Sequence, residues 1–425
     1  MTANTKDVES SIQYKLSSLP LISSKCCIYK VPRYIREVNS ECYLPSIVSI
    51  GPTHYKNPSL KSSLELKLNH LKCFLKIAAN TNGNKAYSLE KYIEVIKNWE
   101  DVARSYYEEK ISLSSNEFIE MMMIDAAFII YLFIYCSERF GIPKFPINEK
   151  IIKQDIFVED NQLPFFVLNL LYSITFGEAY PEISFQDLTC NYISNNSVSG
   201  RIKPATGKEN VLRNTSEVKH LLDFLRVWHL PSELGDGIYR TELTLPPSAE
   251  KLEVAGVKFK ASESKYLLDI RFSDGVLEIP RLTMEDSTEG LLRNILFFEQ
   301  CRQFHDVSAS SYFVDYVSFI DALINTREDV QILVQHGVIK NLLGSDDEVA
   351  NVVNQLRKNI MINNHSFYYS DIAEKLNAHA NTRRNKWMAI LRKDYFNHPW
   401  SIISVVYLAI LLFLTVLQVY TGFKH

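Results

Sequence analysis

The sequence has little glycine, no paired cysteines and no excess charge of either sign, and each shortage excludes a class of protein. Glycine makes up 14 of 425 residues, about 3% against a typical ~7%, which favours helices over a body with many glycine turns. The seven cysteines contain no C-x-x-C pair, which argues against a disulfide framework or a zinc site. Lysine and arginine number 46 against 49 acidic residues, so the basic excess of a nucleic-acid-binding protein is absent.

The rest of the composition is typical of a folded protein. Hydrophobic residues make up 46% of the chain and charged residues 22%, which excludes disorder along most of its length. Leucines 64, 68, 71 and 75 form one stripe and predict an amphipathic helix. Residues 116–139 are the most apolar stretch of the body and predict its central helix. The predicted fold class is therefore mainly α.

Strands and loops interrupt this helical pattern at few places. Two alternating runs flank an Asp-Gly pair and predict a small β-hairpin at about 266–279. A polar stretch rich in serine and asparagine, 191–217, predicts a surface loop inserted into the fold. We therefore expect a flexible N-terminal tail, 1–27, followed by one large irregular helical domain, 28–380.

Residues 400–420 form an uncharged apolar run that predicts a transmembrane helix. As a helix this run is roughly 31 Å long, which matches a hydrocarbon core of ~30 Å. Two shorter apolar stretches, 128–136 and 162–176, are in the length range of buried core helices. The residues that we expect to anchor the helix in lipid are apolar or aromatic: Trp400, Leu408, Leu411, Leu412, Phe413, Leu414 and Tyr420.

Charges on either side of this run predict its orientation. The preceding segment, 381–399, is basic, whereas the short tail, 421–425, contains one lysine. Because positive flanks stay in the cytosol, we expect a single-pass protein whose body is cytosolic, in the plasma membrane or the endoplasmic reticulum. The charges that carry this topology are Arg383, Arg384, Lys386, Arg392 and Lys393.

Candidate chemical groups are polar residues embedded in apolar sequence. Asp125, Asp160 and Glu299 each interrupt an apolar run, and His54 is a histidine that a catalytic site would bring near them. A buried carboxylate is costly unless it is paired or hydrogen-bonded, so each of the three predicts partners. One interpretation is a site in which these carboxylates and the histidine perform acid–base catalysis. The structural interpretation, which we favour, is that they cap helix ends and tie loops to the core.

Short collinear motifs along the chain match a known family. They lie at 31–33, 43–45, 48–54, 117–125 with Phe128, 161–166, 220–223, 248–249 with Leu252, 255–256 with Phe259, 294–300 and 399–400. By these motifs the chain resembles the plant domain of unknown function 247 family, also called uncharacterised protein family 0481. The resemblance implies a mostly helical plant protein with a C-terminal membrane span, and it supplies no catalytic residues. Some grass relatives are associated with self-incompatibility recognition, which implies signalling or partner binding.

Three functional hypotheses follow from these observations. The first is a membrane-anchored protein that binds the bilayer through its C-terminal helix and a protein partner through its body, in signalling or recognition. The second is a membrane-bound hydrolase that uses the buried carboxylates, and the third is a structural membrane scaffold. No recognisable catalytic motif is present, so we lean away from an enzyme, and we expect no cofactor, metal or nucleic acid.

Overall fold

The computed structural model gives the arrangement of most of the chain. Several predicted segments lie wholly or largely outside the described residues, including 195–217 of the polar loop and 383–398 of the basic segment, which contains all five topology residues. The described residues are 5–17, 23–83, 86–137, 140, 149–194, 218–230, 243–264, 266–306, 309–361, 367–382 and 399–422.

The chain divides into two compact units. One takes in the described residues up to Trp228 together with Gly290–Ser310, and the other takes in His229–Glu289 and the described residues from Ser311 onward. The helices up to Trp228 are α1 (Thr5–Ser17), α2 (Arg33–Arg36), α3 (Lys61–Asn82), α4 (Leu89–Asn98), α5 (Glu100–Arg104), α6 (Ser115–Cys136), α7 (Glu149–Ile156), α8 (Phe165–Phe176), α9 (Phe185–Ser194) and α10 (Leu221–Trp228), with 3-10 turns at Ser40–Tyr43 and Pro58–Leu60.

The second half of the chain adds seven further described helices and all the described strands. The helices there are α11 (Ala249–Val254), α12 (Asp286–His305), α13 (Tyr312–Leu323), α14 (Arg327–Gln335), α15 (Asp346–Leu356), α16 (Ser370–Asn381) and α17 (Pro399–Gly422). The strands are β1 (Lys258–Ser262), β2 (Arg271–Ser273), β3 (Val276–Pro280), β4 (Leu282–Met284) and β5 (Ile339–Asn341). The prediction of a mainly helical fold is confirmed.

Helix α6 is the centre of the first unit, as its composition predicts. A capping box starts it: the Ser114 hydroxyl accepts from the Glu117 amide, and the Glu117 carboxylate accepts from the Ser114 amide. Helices α3, α4, α8 and α9 pack around it. Aromatic rings fill the contacts; Phe133, for example, stacks on Tyr192 with ring centroids 4.4 Å apart.

The predicted hairpin exists but is shorter than expected and belongs to a larger sheet. Strands β2 and β3 pair antiparallel around Asp274 and Gly275, both with positive φ as a tight hairpin turn requires. Residues 266–270 form turns instead of extending the first strand. The sequence analysis missed β1, which pairs parallel with β3, and the parallel pair of β4 and β5. Parallel pairing joins segments that are separated in sequence, so local sequence patterns do not predict it.

Within the described residues, one helix is long and apolar enough to cross a membrane, namely α6. However, 94% of its most apolar window is buried inside the protein, so it is a core helix. The short apolar helix α8 is also largely buried, as expected for a core element. Residues 400–420 lie within α17, whose apolar stretch with described side chains, Ile410–Val419, is too short to meet the same criterion. A transmembrane span at this position is therefore not shown.

The predicted N-terminal tail contains regular structure. Residues 5–17 form α1, and every residue of this helix is exposed. The chain joins the body shortly before residue 28, because the Cys27 and Ile28 amides both donate to the Tyr106 carbonyl at 2.9 Å. Residues 23–27 thus belong partly to the body instead of a free tail.

Candidate functional site

The buried polar residues of the first unit gather where two irregular segments meet. We call residues 46–54 the strap and residues 155–162 the polar segment. The strap has no regular secondary structure, and Pro52 and Gly51 interrupt it. Much of the strap is buried, so its backbone N–H groups need partners from elsewhere in the protein.

Asp155 supplies three of those partners. Its carboxylate accepts hydrogen bonds from the amides of Ser46, Ile47 and Val48, at 2.7, 2.7 and 2.8 Å. Burial raises the pKa of Asp155, while the three amide donors partly offset that effect. This residue lies at the end of α7, so a single carboxylate connects the start of the strap to that helix.

Two amide side chains continue the connection. Asn161 accepts from the Ile50 amide at 2.7 Å and donates to the carbonyls of Val48 and Asp155. It therefore pairs with the strap as a neighbouring strand would. Gln162 donates to the carbonyls of residues 156 and 158 and accepts from the amide of residue 222. Both residues are fully buried, and each of these bonds satisfies a backbone group that water cannot reach.

Asp125 and Lys67 bind the middle of the strap. The Asp125 carboxylate accepts from the Gly51 amide at 2.9 Å and from the Lys67 ammonium at 2.5 Å. Lys67 also donates to the Ser49 carbonyl at 2.8 Å. Both charged side chains are almost completely buried. Burial raises the pKa of Asp125, and the Lys67 charge offsets part of that rise.

The strap has no room for a side chain at Gly51. Its φ of +73° is unfavourable for any other residue, and a Cβ there would lie 2.5 Å from the Gln162 carbonyl oxygen. The hydroxyl of Tyr107 donates to that same carbonyl at 3.1 Å. Gly51 thus allows the strap to pass directly against the backbone of the polar segment.

Asp160 joins the end of the strap to α2. One carboxylate oxygen lies 2.9 Å from Nε2 of His54, and the other pairs with the Arg36 guanidinium. Asp160 is 1% exposed and His54 6%. Both oxygens of this carboxylate are therefore engaged by donors from residues 36–54.

A second buried cluster surrounds Glu159 and His220. Nε2 of His220 lies 3.1 Å from the Cys27 carbonyl oxygen, and Nδ1 accepts weakly from the Asp223 amide at 3.4 Å. Since a carbonyl can only accept, Nε2 carries a proton, and since Nδ1 is itself an acceptor, the ring is neutral. Burial lowers the pKa of His220 to about 4, which agrees with a neutral ring near pH 7.

Burial favours the neutral form of Glu159 as well. One carboxyl oxygen accepts from the Tyr29 amide at 3.1 Å, and the other has no hydrogen-bond partner among the described residues. That second oxygen lies 3.8 Å from Nε2 of His220, close enough for an ion pair if both were charged. Burial raises the pKa of Glu159 well above its ordinary value, so a protonated acid beside a neutral imidazole describes the contact better.

Arg226 provides the charge balance of this cluster. Its guanidinium bonds Asp223 at 2.9 Å and lies 3.7 Å from a Glu299 carboxylate oxygen. Burial by itself raises the pKa of Asp223, but Arg226 and other positive neighbours outweigh burial, so the net pKa is lowered. Asp223 is therefore an ionised carboxylate held by a buried arginine.

The structure brings three of the four predicted site residues to the strap. Asp125 and Asp160 each bind it directly, and His54 is its last residue. Glu299 lies in the second cluster, beside Arg226. These contacts tie loops to the core, as the structural interpretation describes. Asp160 and Asn161 do not cap α8, however, because the N-cap residue of that helix is Pro164. The acid–base interpretation stays a prediction.

Sequence reasoning missed residues that matter equally. They are two acids within five residues of Asp160, a lysine of α3, a histidine just before α10 and an arginine within α10: Asp155, Glu159, Lys67, His220 and Arg226. One available signal was the polar stripe of Ser63, Lys67 and His70 on α3. Among the described residues, no group of three or more histidine, cysteine, aspartate or glutamate side chains is placed to hold a metal ion.

The sequence of this mainly helical protein matches a plant protein family. Residues 28–414 match the profile of DUF247, described as plant protein of unknown function, and the chain belongs to that family. It is 26% identical to the UPF0481 protein At3g47200 of Arabidopsis thaliana, over 92% of this chain and 85% of that one. It is 23% identical to the putative UPF0481 protein At3g02645 of the same plant, over 98% and 93% of the two chains. No solved structure matches it.

Replacing either member of the Lys67–Asp125 pair should strongly destabilise the protein. We expect Lys67→Met and Asp125→Asn each to lower the free energy of unfolding by about 3–5 kcal/mol, because each leaves a buried group without its partner. The double variant should lose less than the sum of the two single losses. Urea unfolding of the full chain in detergent measures all three values.

The matched control is Lys76→Met, on the exposed side of the same helix. It should change the free energy of unfolding by about 0.5 kcal/mol or less. Strictly additive losses in the double variant would show that Lys67 and Asp125 do not act as a pair.

Glu159→Gln should change how stability depends on pH. Because burial raises the pKa of Glu159 above its ordinary value of 4.5, the folded state keeps the proton after the unfolded chain has lost it. Raising the pH through that window therefore lowers the free energy of unfolding of the wild type, and glutamine removes this titration. The free energy of unfolding of the variant should therefore increase relative to that of the wild type as pH rises above 4.5. Urea unfolding over a pH series tests this, with exposed Glu90→Gln as control. A free energy of unfolding of the variant that falls relative to that of the wild type as pH rises contradicts the prediction.

Proposed function

We propose that this protein is a membrane-anchored interaction protein. Helix α17 inserts into a bilayer, and the helical body binds a protein partner in the cytosol. The observation that carries the proposal is the exposure of the large apolar side chains that the structure describes in α17, between Ile403 and Val419. Membership of a plant family of unknown function agrees with it but assigns no activity.

The surface of α17 is unsuited to water. No residue of the helix carries a charge, and its described large apolar side chains are 43–66% exposed. Exposed apolar patches of this extent mark membrane or protein contacts. At 24 residues the helix is about 36 Å long, sufficient for a hydrocarbon core of ~30 Å. The Thr415 hydroxyl donates to the Leu411 carbonyl at 2.8 Å, which reduces its cost in lipid.

The charges around α17 support a cytosolic body. Five lysines and arginines stand between residues 383 and 393, and Lys424 alone follows the helix. Positive flanks stay on the cytosolic side of a membrane. The plasma membrane and the endoplasmic reticulum are the membranes that we propose.

Binding is a better proposal for the body than hydrolysis. The Asp125 and Asp160 carboxylates are both occupied by donors that hold the strap, and Glu299 faces Arg226. A general acid or base needs access to substrate, which these contacts do not favour. No specific observation supports the hydrolase, and a membrane scaffold shares the same anchor.

Charges placed in α17 should release the protein from membranes. In cells that express the full chain, we expect it to stay with the membrane pellet after alkaline carbonate washing. Leu408→Arg combined with Leu412→Arg should shift it to the supernatant, because each arginine costs about 2.5–3.5 kcal/mol near the centre of a bilayer. Leu342→Arg, at a position 52% exposed outside α17, is the control and should stay in the pellet.

Release of the wild-type protein by carbonate would refute the anchor.

The same cells report the orientation of the protein through three glycosylation sequons, at Asn195, Asn214 and Asn364. With a cytosolic body, glycosidase treatment should leave the gel mobility of the protein unchanged. A mobility shift would place the body on the opposite side.

The polar loop is the segment that we propose to contact the partner. Its predicted start needs adjustment, since residues 191–194 are the end of α9 and Tyr192 is 1% exposed. Deleting 195–217 should abolish partner labelling by a proximity-labelling enzyme fused to the full chain, while the melting temperature stays within about 2 °C. The fused full chain is the control. Undiminished labelling of the same neighbours would exclude the loop as the contact.

A further inference from the structure

Helix α3 does not bury the leucine face that its sequence favours. The face packed into the first unit consists of Ser63, Lys67, His70, Phe74 and Ala78. The leucine stripe lies beside this face and is only partly covered. Leucines 64 and 68 are 48% and 45% exposed, and leucines 71 and 75 are half-buried.

The reason is the strap. Lys67 must point inward to reach Asp125 and the Ser49 carbonyl. The Ser63 hydroxyl likewise accepts from the Ser49 amide at 3.0 Å. Satisfying these polar groups turns the polar side of α3 to the core, so the leucines are left toward solvent.

The leucine stripe has the spacing of a coiled-coil seam. Steps of four, three and four residues along 64, 68, 71 and 75 place the leucines at positions d, a, d and a of a heptad. Lys67 and Phe74 occupy the g positions and are buried in their own chain. Glu65 and Lys72 occupy the e positions, on the outer flank.

Those two e positions carry opposite charges. Glu65 and Lys72 are both exposed, and neither forms an ion pair with another described residue. In antiparallel coiled coils the e position of one helix faces the e position of the other. Two copies of α3 lying antiparallel therefore place each Glu65 beside a Lys72, twice around a two-fold axis. In a parallel pair e faces g, and the g side chains here are committed to the core.

From this complementarity we infer that α3 is a homodimerisation surface. Leu64 packs against Leu75 of a second copy and Leu68 against Leu71, with the Glu65–Lys72 pairs on the flank. The occupant is a second copy of this chain in an isologous, antiparallel contact. Exposed α1 is a poorer match, because its apolar residues Val8, Ile12 and Leu16 are spaced four and four.

Reversing the charges of Glu65 and Lys72 by substitution provides the test. Sedimentation of the full chain in detergent, from about 1 to about 100 µM, covers the range in which a small interface dissociates. The wild type should dimerise. E65K and K72E should each raise the dissociation constant about tenfold or more, because like charges then face each other at both ends of the contact.

Recovery of dimerisation by complementary charges distinguishes a defined antiparallel contact from non-specific association. The double variant E65K/K72E should dimerise like the wild type, and so should an equimolar mixture of the two single variants. L68E should be monomeric throughout. The matched control K76E, on the exposed side of α3 away from the stripe, should leave the dissociation constant within about twofold of wild type.

Three results would overturn the inference. One is a monomeric wild type across the concentration range. The second is a protein that dimerises only after residues 1–17 are deleted, which would show that α1 covers the leucine stripe in the full chain. The third is a dimer that E65K and K72E leave unchanged. Circular dichroism melts should show that every variant remains folded, since all the changed side chains are exposed.

Discussion

The first unit depends on buried side chains that take the place of a neighbouring strand. The strap, residues 46–54, pairs with no strand among the described residues of the first unit, so its amides take side-chain acceptors instead. Asp155, Asn161 and Asp125 supply them, each within 2.9 Å of an amide nitrogen. A buried amide left without an acceptor costs about 1–3 kcal/mol. This requirement explains why carboxylates are tolerated in an apolar core.

The same requirement sets the orientation of the surrounding helices. Asp125 needs a counter-charge, and Lys67 of α3 provides it. That contact turns the polar side of α3 inward and its leucines outward. A constraint on one stretch of backbone thus determines which surface the protein presents to its surroundings.

The family resemblance follows the network closely. Of the runs that carry it, 48–54 is most of the strap, 117–125 ends at Asp125, 161–166 begins at Asn161, and 220–223 and 294–300 belong to the second cluster. In this chain, these residues therefore help to hold the fold.

The sequence alone predicted much of the helical framework, because hydrophobic periodicity and capping residues act within a few positions. The central helix α6 and the core helix α8 were anticipated in this way. It also indicated that Asp125 and Asp160 need partners, since a lone carboxylate in apolar sequence is costly. The Asp-Gly pair correctly predicted a hairpin, although the hairpin in the structure is shorter than expected.

Only the tertiary structure decided which partners those carboxylates have. Lys67 lies 58 residues from Asp125, and Asp155 lies 107 residues from the Val48 amide that it accepts. Such contacts leave no local periodicity. They also overrode the apolar pattern of α3, whose leucines predicted a helix but not the direction in which it faces. Local residue order determines where helices form, whereas satisfying buried polar groups determines how they are turned.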